Sequence, residues 1–100
     1  MSTKATASIF HHFEQVSDPR INRKKRHKLI DIFFMTITAV ICGANNWVMI
    51  EEFCKSKEEW LNNILDLENG IPSHDTFGRV FAALNTQEFI ECFNQWMKDI

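Results

Sequence analysis

The sequence predicts an all-α fold, a compact bundle of five to six helices around one central apolar helix at about residues 23–44. Three observations predict it. Apolar residues recur at three- and four-residue spacing throughout, and nowhere does two-residue alternation persist over a strand length between turn signals. Nine Phe and three Trp are many for 100 residues; each such ring can bury roughly 150–250 Å², so the core needs neither a disulfide nor a metal. Finally, the stretch Leu29 to Ala44 is apolar around most of a helical circumference, as a helix wrapped by others must be. The length suits a single domain, 1–100, with residues 1–7 expected to fray.

The elements follow in order. Ile9, Phe10, Phe13 and Val16 share one helical face over about Ser8 to Val16, and Ser17-Asp18-Pro19 ends that helix because proline disfavours helix in the residue before it. The central helix is expected from about Arg23 to Gly43, with Asp31, Thr38 and Asn45 as a narrow polar stripe and Leu29, Ile30, Ile32, Phe33, Phe34, Ile37, Val40 and Ile41 around the remainder. Asn46 to Leu65 reads as two helical pieces, Trp47, Ile50, Phe53 and Cys54 facing inward in the first. Ser56 and Glu59 have the spacing of a capping box for the second. Glu68-Asn69-Gly70-Ile71-Pro72 is a turn signal. Ser73 then caps a short helix to Leu84, and Asn85 with Glu88 caps a last one whose Phe89, Phe93, Trp96, Met97 and Ile100 are expected on one face.

The net charge of −2 hides an asymmetry: residues 1–28 hold seven Lys/Arg against Glu14 and Asp18, whereas the rest hold four against eleven carboxylates. Six of the cations, Arg20, Arg23, Lys24, Lys25, Arg26 and Lys28, fall within nine residues at the expected start of the central helix. Cations there oppose the positive end of the helix dipole by roughly 0.3–1 kcal/mol each. An external polyanion would relieve that opposition, and DNA phosphates are the obvious one, contacted for position rather than for sequence. A solvated run, or one facing an acidic protein, is the alternative. A second constellation is Ser73-His74-Asp75-Thr76-Phe77-Gly78-Arg79, in which His74, Thr76 and Arg79 are candidates for base or backbone contact from a helix start. The seven residues between Leu65 and Ser73 exceed the usual helix-turn-helix connection, and a capped helix with Arg79 in a salt bridge explains the same residues.

Catalytic and metal chemistry find no support in the pattern. No phosphate-binding loop, nucleophile elbow or Cys-His motif occurs, and His11, His12, His27 and His74 lack ligand spacing. Glu51-Glu52 and Glu58-Glu59 are adjacent and read as solvated positions. Cys42, Cys54 and Cys92 form no C-x-x-C and read as small buried hydrophobes of a reducing, cytoplasmic compartment. Leu29 to Ala44 is sixteen residues against the ~20 a membrane span needs, and it contains Asp31, Thr36 and Thr38. No membrane association and no small-molecule substrate is expected.

Several pieces come together in order: Asp18-Pro19-Arg20, Arg26-His27-Lys28-Leu29, Ala39-Val40-Ile41-Cys42-Gly43-Ala44, Trp47 with Glu52-Phe53, Glu68 through Thr76 with Arg79, and Phe89-Ile90-Glu91-Cys92-Phe93 with Trp96-Met97. This series, covering about residues 9–100, resembles the N-terminal region of the H-repeat-associated, insertion-sequence DNA transposases of the DDE class. The resemblance implies a bacterial protein in which a helical N-terminal domain precedes a ribonuclease-H-like domain, where three carboxylates hold two metal ions. That catalytic domain is expected after residue 100. The implied role here is non-catalytic: no catalytic residue, no cofactor (the divalent metal belongs to the following domain), double-stranded DNA of the transposon ends as partner, and a homodimer as a further possibility. A protein–protein module, for dimerisation or for docking the catalytic domain, is the alternative.

Overall fold

In the computed structural model, which describes residues 3–14, 16–20 and 27–99, six helices follow one another and no strand occurs among the described residues. They are α1 (Thr3–Phe13), α2 (Leu29–Ile41), α3 (Trp47–Ser56), α4 (Glu58–Ile64), α5 (His74–Ala83) and α6 (Thr86–Asp99). As the sequence requires, α2 is the enclosed one: Leu29 and every residue from Asp31 to Ala39 are buried. Helices α1 and α3 pack directly on it, α6 lies on α1, and α5 lies on α3.

The aromatic residues explain why these helices meet. Phe33 of α2 is fully buried, with Phe13 of α1 at 5.7 Å, Phe81 of α5 at 5.6 Å and Phe89 of α6 at 5.2 Å between ring centroids. Tilted and edge-to-face rings at these distances add to the burial of their area. On its other side α2 places Phe34 against Phe10 and Trp60. One ring thus ties four helices together.

Several boundaries differ from those expected. Lys28 is extended (φ −67°, ψ 140°) and His27 is non-helical, so α2 begins at Leu29, not near residue 23. Arg23, Lys24, Lys25 and Arg26 lie outside the described residues. A start at Leu29 places Asp31 in the first turn, where its sign suits the dipole, and leaves His27 and Lys28 before it. At the other end, Gly43 (φ 108°) closes a Schellman turn: its N–H donates to the Val40 carbonyl at 3.0 Å, and that of Ala44 to the Ala39 carbonyl at 3.0 Å. The chain departs there, so Val40 and Ile41, expected in the core, are 52% and 59% exposed.

Helix α1 starts at Thr3, so residues 3–7 are helical where fraying was expected, and Val16 joins the core from the turn beyond it. Ser56 is not an N-cap. Its hydroxyl donates to the Phe53 carbonyl at 2.7 Å as the end of α3, and α4 follows after Lys57 with no side-chain cap. The other two caps are as expected: Ser73 Oγ accepts from the Thr76 N–H, and Asn85 Oδ1 from the Glu88 N–H at 3.1 Å. On α6 only Trp96 is buried; Met97, about 100° away on the helix, is exposed, and Phe93 packs beside Trp96 at the edge of the core with 37% of its surface exposed. Of the cysteines only Cys54 is fully buried, which pushes its thiol up to about 12, whereas Cys42 is exposed at the end of α2.

Helix α6 is tied to the first helix and its following turn by two polar contacts. The Ser17 N–H donates to the Glu88 carboxylate near the start of α6. Near its end, His12 bridges the Ser8 carbonyl (Nδ1, 2.8 Å) and Asp99 Oδ2 (Nε2, 2.7 Å). Both partners are acceptors, so only the imidazolium satisfies both. The Ser8 carbonyl, then Asp99, raise the pKa of His12 above 6.5 against the effect of burial. The stabilisation is therefore complete below pH ~6.5 and is lost as pH rises through the folded value. The thermal midpoint should fall between pH 6 and pH 8.5, and His12→Asn should remove most of that slope. An equal slope in both proteins would show that the bridge does not titrate.

Candidate nucleic-acid interface

Where α5 stands decides what surface the domain offers. Besides the burial of Phe77 and Val80, two contacts with α3 hold its rotation. At its start, Glu51 Oε1 accepts from the His74 main-chain N–H at 2.8 Å and lies 2.7 Å from His74 Nδ1, while Glu51 Oε2 pairs with Lys55 Nζ at 2.6 Å. Lys55 first, then the His74 ring and N–H, hold the Glu51 carboxyl down at about 2. One turn on, Gly78 packs on the Trp47 indole, which a Cβ there would meet at 3.4 Å, and Phe81 lies 5.2 Å from the same ring system. His74, Gly78 and Phe81 are i, i+4 and i+7, one face of the helix. With that face on α3, Thr76, Arg79, Val80 and Ala83 turn the other way.

That other face is one wall of a groove of about 770 Å³. The loop residues Asn69, Ile71 and Ser73 continue it, and Pro19, Arg20 and His27 also line it. The groove therefore brings Thr76 and Arg79 of α5 together with Pro19, Arg20 and His27. Arg79 is exposed, and its only hydrogen bond among the described residues is a long one from Nε to the Asp75 carbonyl, 3.4 Å. No carboxylate lies within ion-pair distance of it among the described residues, so the salt bridge considered for it is absent there.

Other expected contact residues stand differently. Arg20 is half-buried and bound to Asp18 through two parallel bonds, Nε–Oδ1 3.0 Å and Nη2–Oδ2 2.9 Å, with its N–H also on Oδ1. This clamp shapes the Asp18-Pro19-Arg20 turn and neutralises the guanidinium. His74 faces Glu51 and does not line the groove. Lys28 lines a neighbouring pocket of about 320 Å³ together with Asp18, Asp31, Asp66 and Glu68. In it, burial raises the carboxyl pKa of Asp31 against the pull of Lys28. Arg23, Lys24, Lys25 and Arg26 lie outside the described residues. Glu51, read from the sequence as a solvated carboxylate, is the organising residue that reading missed; its partner is 23 positions away and no local pattern announces it.

Among the described residues no three His, Cys, Asp or Glu side chains converge as a metal ion would require, and no helix is long and apolar enough to cross a membrane.

No solved structure matches the chain. Known sequences do. YhhI of Escherichia coli (strain K12), an H repeat-associated candidate transposase, is 43% identical over 91 residues, 91% of this chain and 24% of its own length. A protein encoded in the dhlA 3′ region of Xanthobacter autotrophicus is 45% identical over 85 residues, 84% of this chain and 29% of that one. The chain thus spans about a quarter of the length of these relatives. YbfQ of Escherichia coli (strain K12), named as an inactive transposase, is 44% identical over 74 residues, 74% of this chain and 88% of YbfQ. The family profile described as DDE_Tnp_1-associated matches residues 10–97, and the chain belongs to that transposase-associated family.

Proposed function

We propose that this domain is the non-catalytic, DNA-holding N-terminal part of a DDE-type transposase, and that it grips duplex DNA at the transposon ends. Arg23, Lys24, Lys25 and Arg26 supply the phosphate contacts, joined by Arg79, with the Thr76 hydroxyl as a neutral partner. Arg20, Lys28 and His74 serve as framework, since each faces a carboxylate of the domain itself. The observation that carries the reading is the shared groove. Arg79, without a carboxylate partner among the described residues, lines the same wall-to-wall space as Arg20 and His27, between which the cationic run lies in sequence. Strand cleavage and its metal ions belong, in this reading, to the remainder of the transposase.

The test is Arg79→Ala. Losing one phosphate contact should make the slope of log K against log salt shallower by roughly 0.9, with the thermal midpoint unchanged. An unaltered slope removes Arg79 from the interface.

The corner where α2 meets α3 favours a second reading. Val40, Ile41, Val48 and Met49 are 38–59% exposed within ten residues of sequence, and such patches mark interaction surfaces. A domain that pairs transposase subunits or docks on the catalytic part would use them. Light scattering separates the two readings: a tight dimer indifferent to end DNA supports the second.

A further inference from the structure

Helix α5 is not held by its own chain neighbours. Ser73 caps it with one hydroxyl, and the connection before it is an irregular loop from Leu65. Its buried face, Phe77, Val80 and Phe81, turns it toward the core, with Phe81 also on Phe33 of α2, and α3 adds Trp47 under Gly78 and Phe81 and Glu51 at His74. The two contacts differ in kind. The indole fixes the distance between the helices but tolerates sliding, because dispersion has little directionality. The carboxylate fixes the end: a main-chain N–H and a ring nitrogen converge on one oxygen, with Lys55 holding the other. Charge-assisted bonds of this kind are short and directional. The Glu51 side chain is 14% exposed, while its partners His74 and Lys55 are 47% and 60% exposed.

We infer that Glu51 is the positioning residue of the groove: by anchoring the first residue of α5 to α3 it turns Thr76 and Arg79 toward Pro19, Arg20 and His27. The inference rests on the DNA-holding reading for its consequence, although the anchoring itself can be tested without DNA. Glu51 touches no ligand in this account and acts only through the helix it orients.

The experiment is a double-mutant cycle on the whole 100-residue chain, with duplex DNA carrying the element's terminal repeat as probe. Glu51→Ala should weaken binding roughly fivefold, and in an Arg79→Ala background it should cost much less, because the charged side chain it positions is gone and only Thr76 remains. Glu51→Gln keeps an acceptor for the His74 N–H and should restore most of the affinity. Glu51→Asp, with a shorter reach, should give the alanine pattern in weaker form and covers the case in which Glu51→Ala does not fold. Amide chemical shifts supply the DNA-free readout. Thr76 and Arg79 should move in Glu51→Ala while α1 and α6 stay in place. Losses that add across the cycle, or α5 amides that do not move, overturn the inference. If the unsubstituted domain itself ignores DNA while the α5 amides shift, the anchor stands and the DNA reading is what fails.

Discussion

Phe33→Ala should cost about 3–5 kcal/mol of folding stability, the range measured for large aromatic deletions in packed cores. Domains of this kind hold only ~5–15 kcal/mol in total, so the loss is a large fraction of the whole. The reason is topological as well as areal. Phe33 is fully buried, and its ring meets Phe13, Phe81 and Phe89, each from a different helix. The cavity left behind cannot collapse without moving three elements at once. Urea denaturation should show the midpoint falling by more than ~1 M at an unchanged slope. Phe93→Ala is the control: with Phe93 37% exposed, it should cost a minor fraction of that. Equal losses for the two would mean that α2 is not the centre of the core.

Replacing Lys24, Lys25 and Arg26 together by Gln should flatten the salt dependence of DNA binding by roughly 2.7 units of slope, three contacts at ~0.9 each. Folding should change by less than ~0.5 kcal/mol if the run serves DNA and not the fold. The combination separates this account from a structural one. A run that served only the fold would change stability and leave the slope alone. A run that faced an acidic protein partner would change neither.

Much of this molecule was legible in its sequence where one physical rule dominated. The unbroken apolar character of Leu29 to Ala39 required an enclosed helix, and α2 is one. Ser73 and Asn85 were readable as caps because a short acceptor three residues before a free N–H has few other roles. Ser56 fits the same pattern and fails, since α3 continues through it and its hydroxyl finds the Phe53 carbonyl first. The start of α2 was misplaced because helical spacing does not mark where a helix begins, and no cap residue before Leu29 announces the extended Lys28. The groove could not be read at all. It requires knowing that residues 19, 20 and 27 line one groove with 76 and 79, and that placement depends in part on Glu51 reaching α5 over a gap of 23 positions. Long-range polar contacts leave no periodic trace.

The most direct measurement is the affinity of the unsubstituted domain for terminal-repeat duplex across a series of salt concentrations. With Arg23, Lys24, Lys25, Arg26 and Arg79 on phosphates, the slope of log K against log salt should be about −4.5. A flat line, or no binding even in dilute buffer, would contradict the account and leave the domain as a helical surface for other proteins.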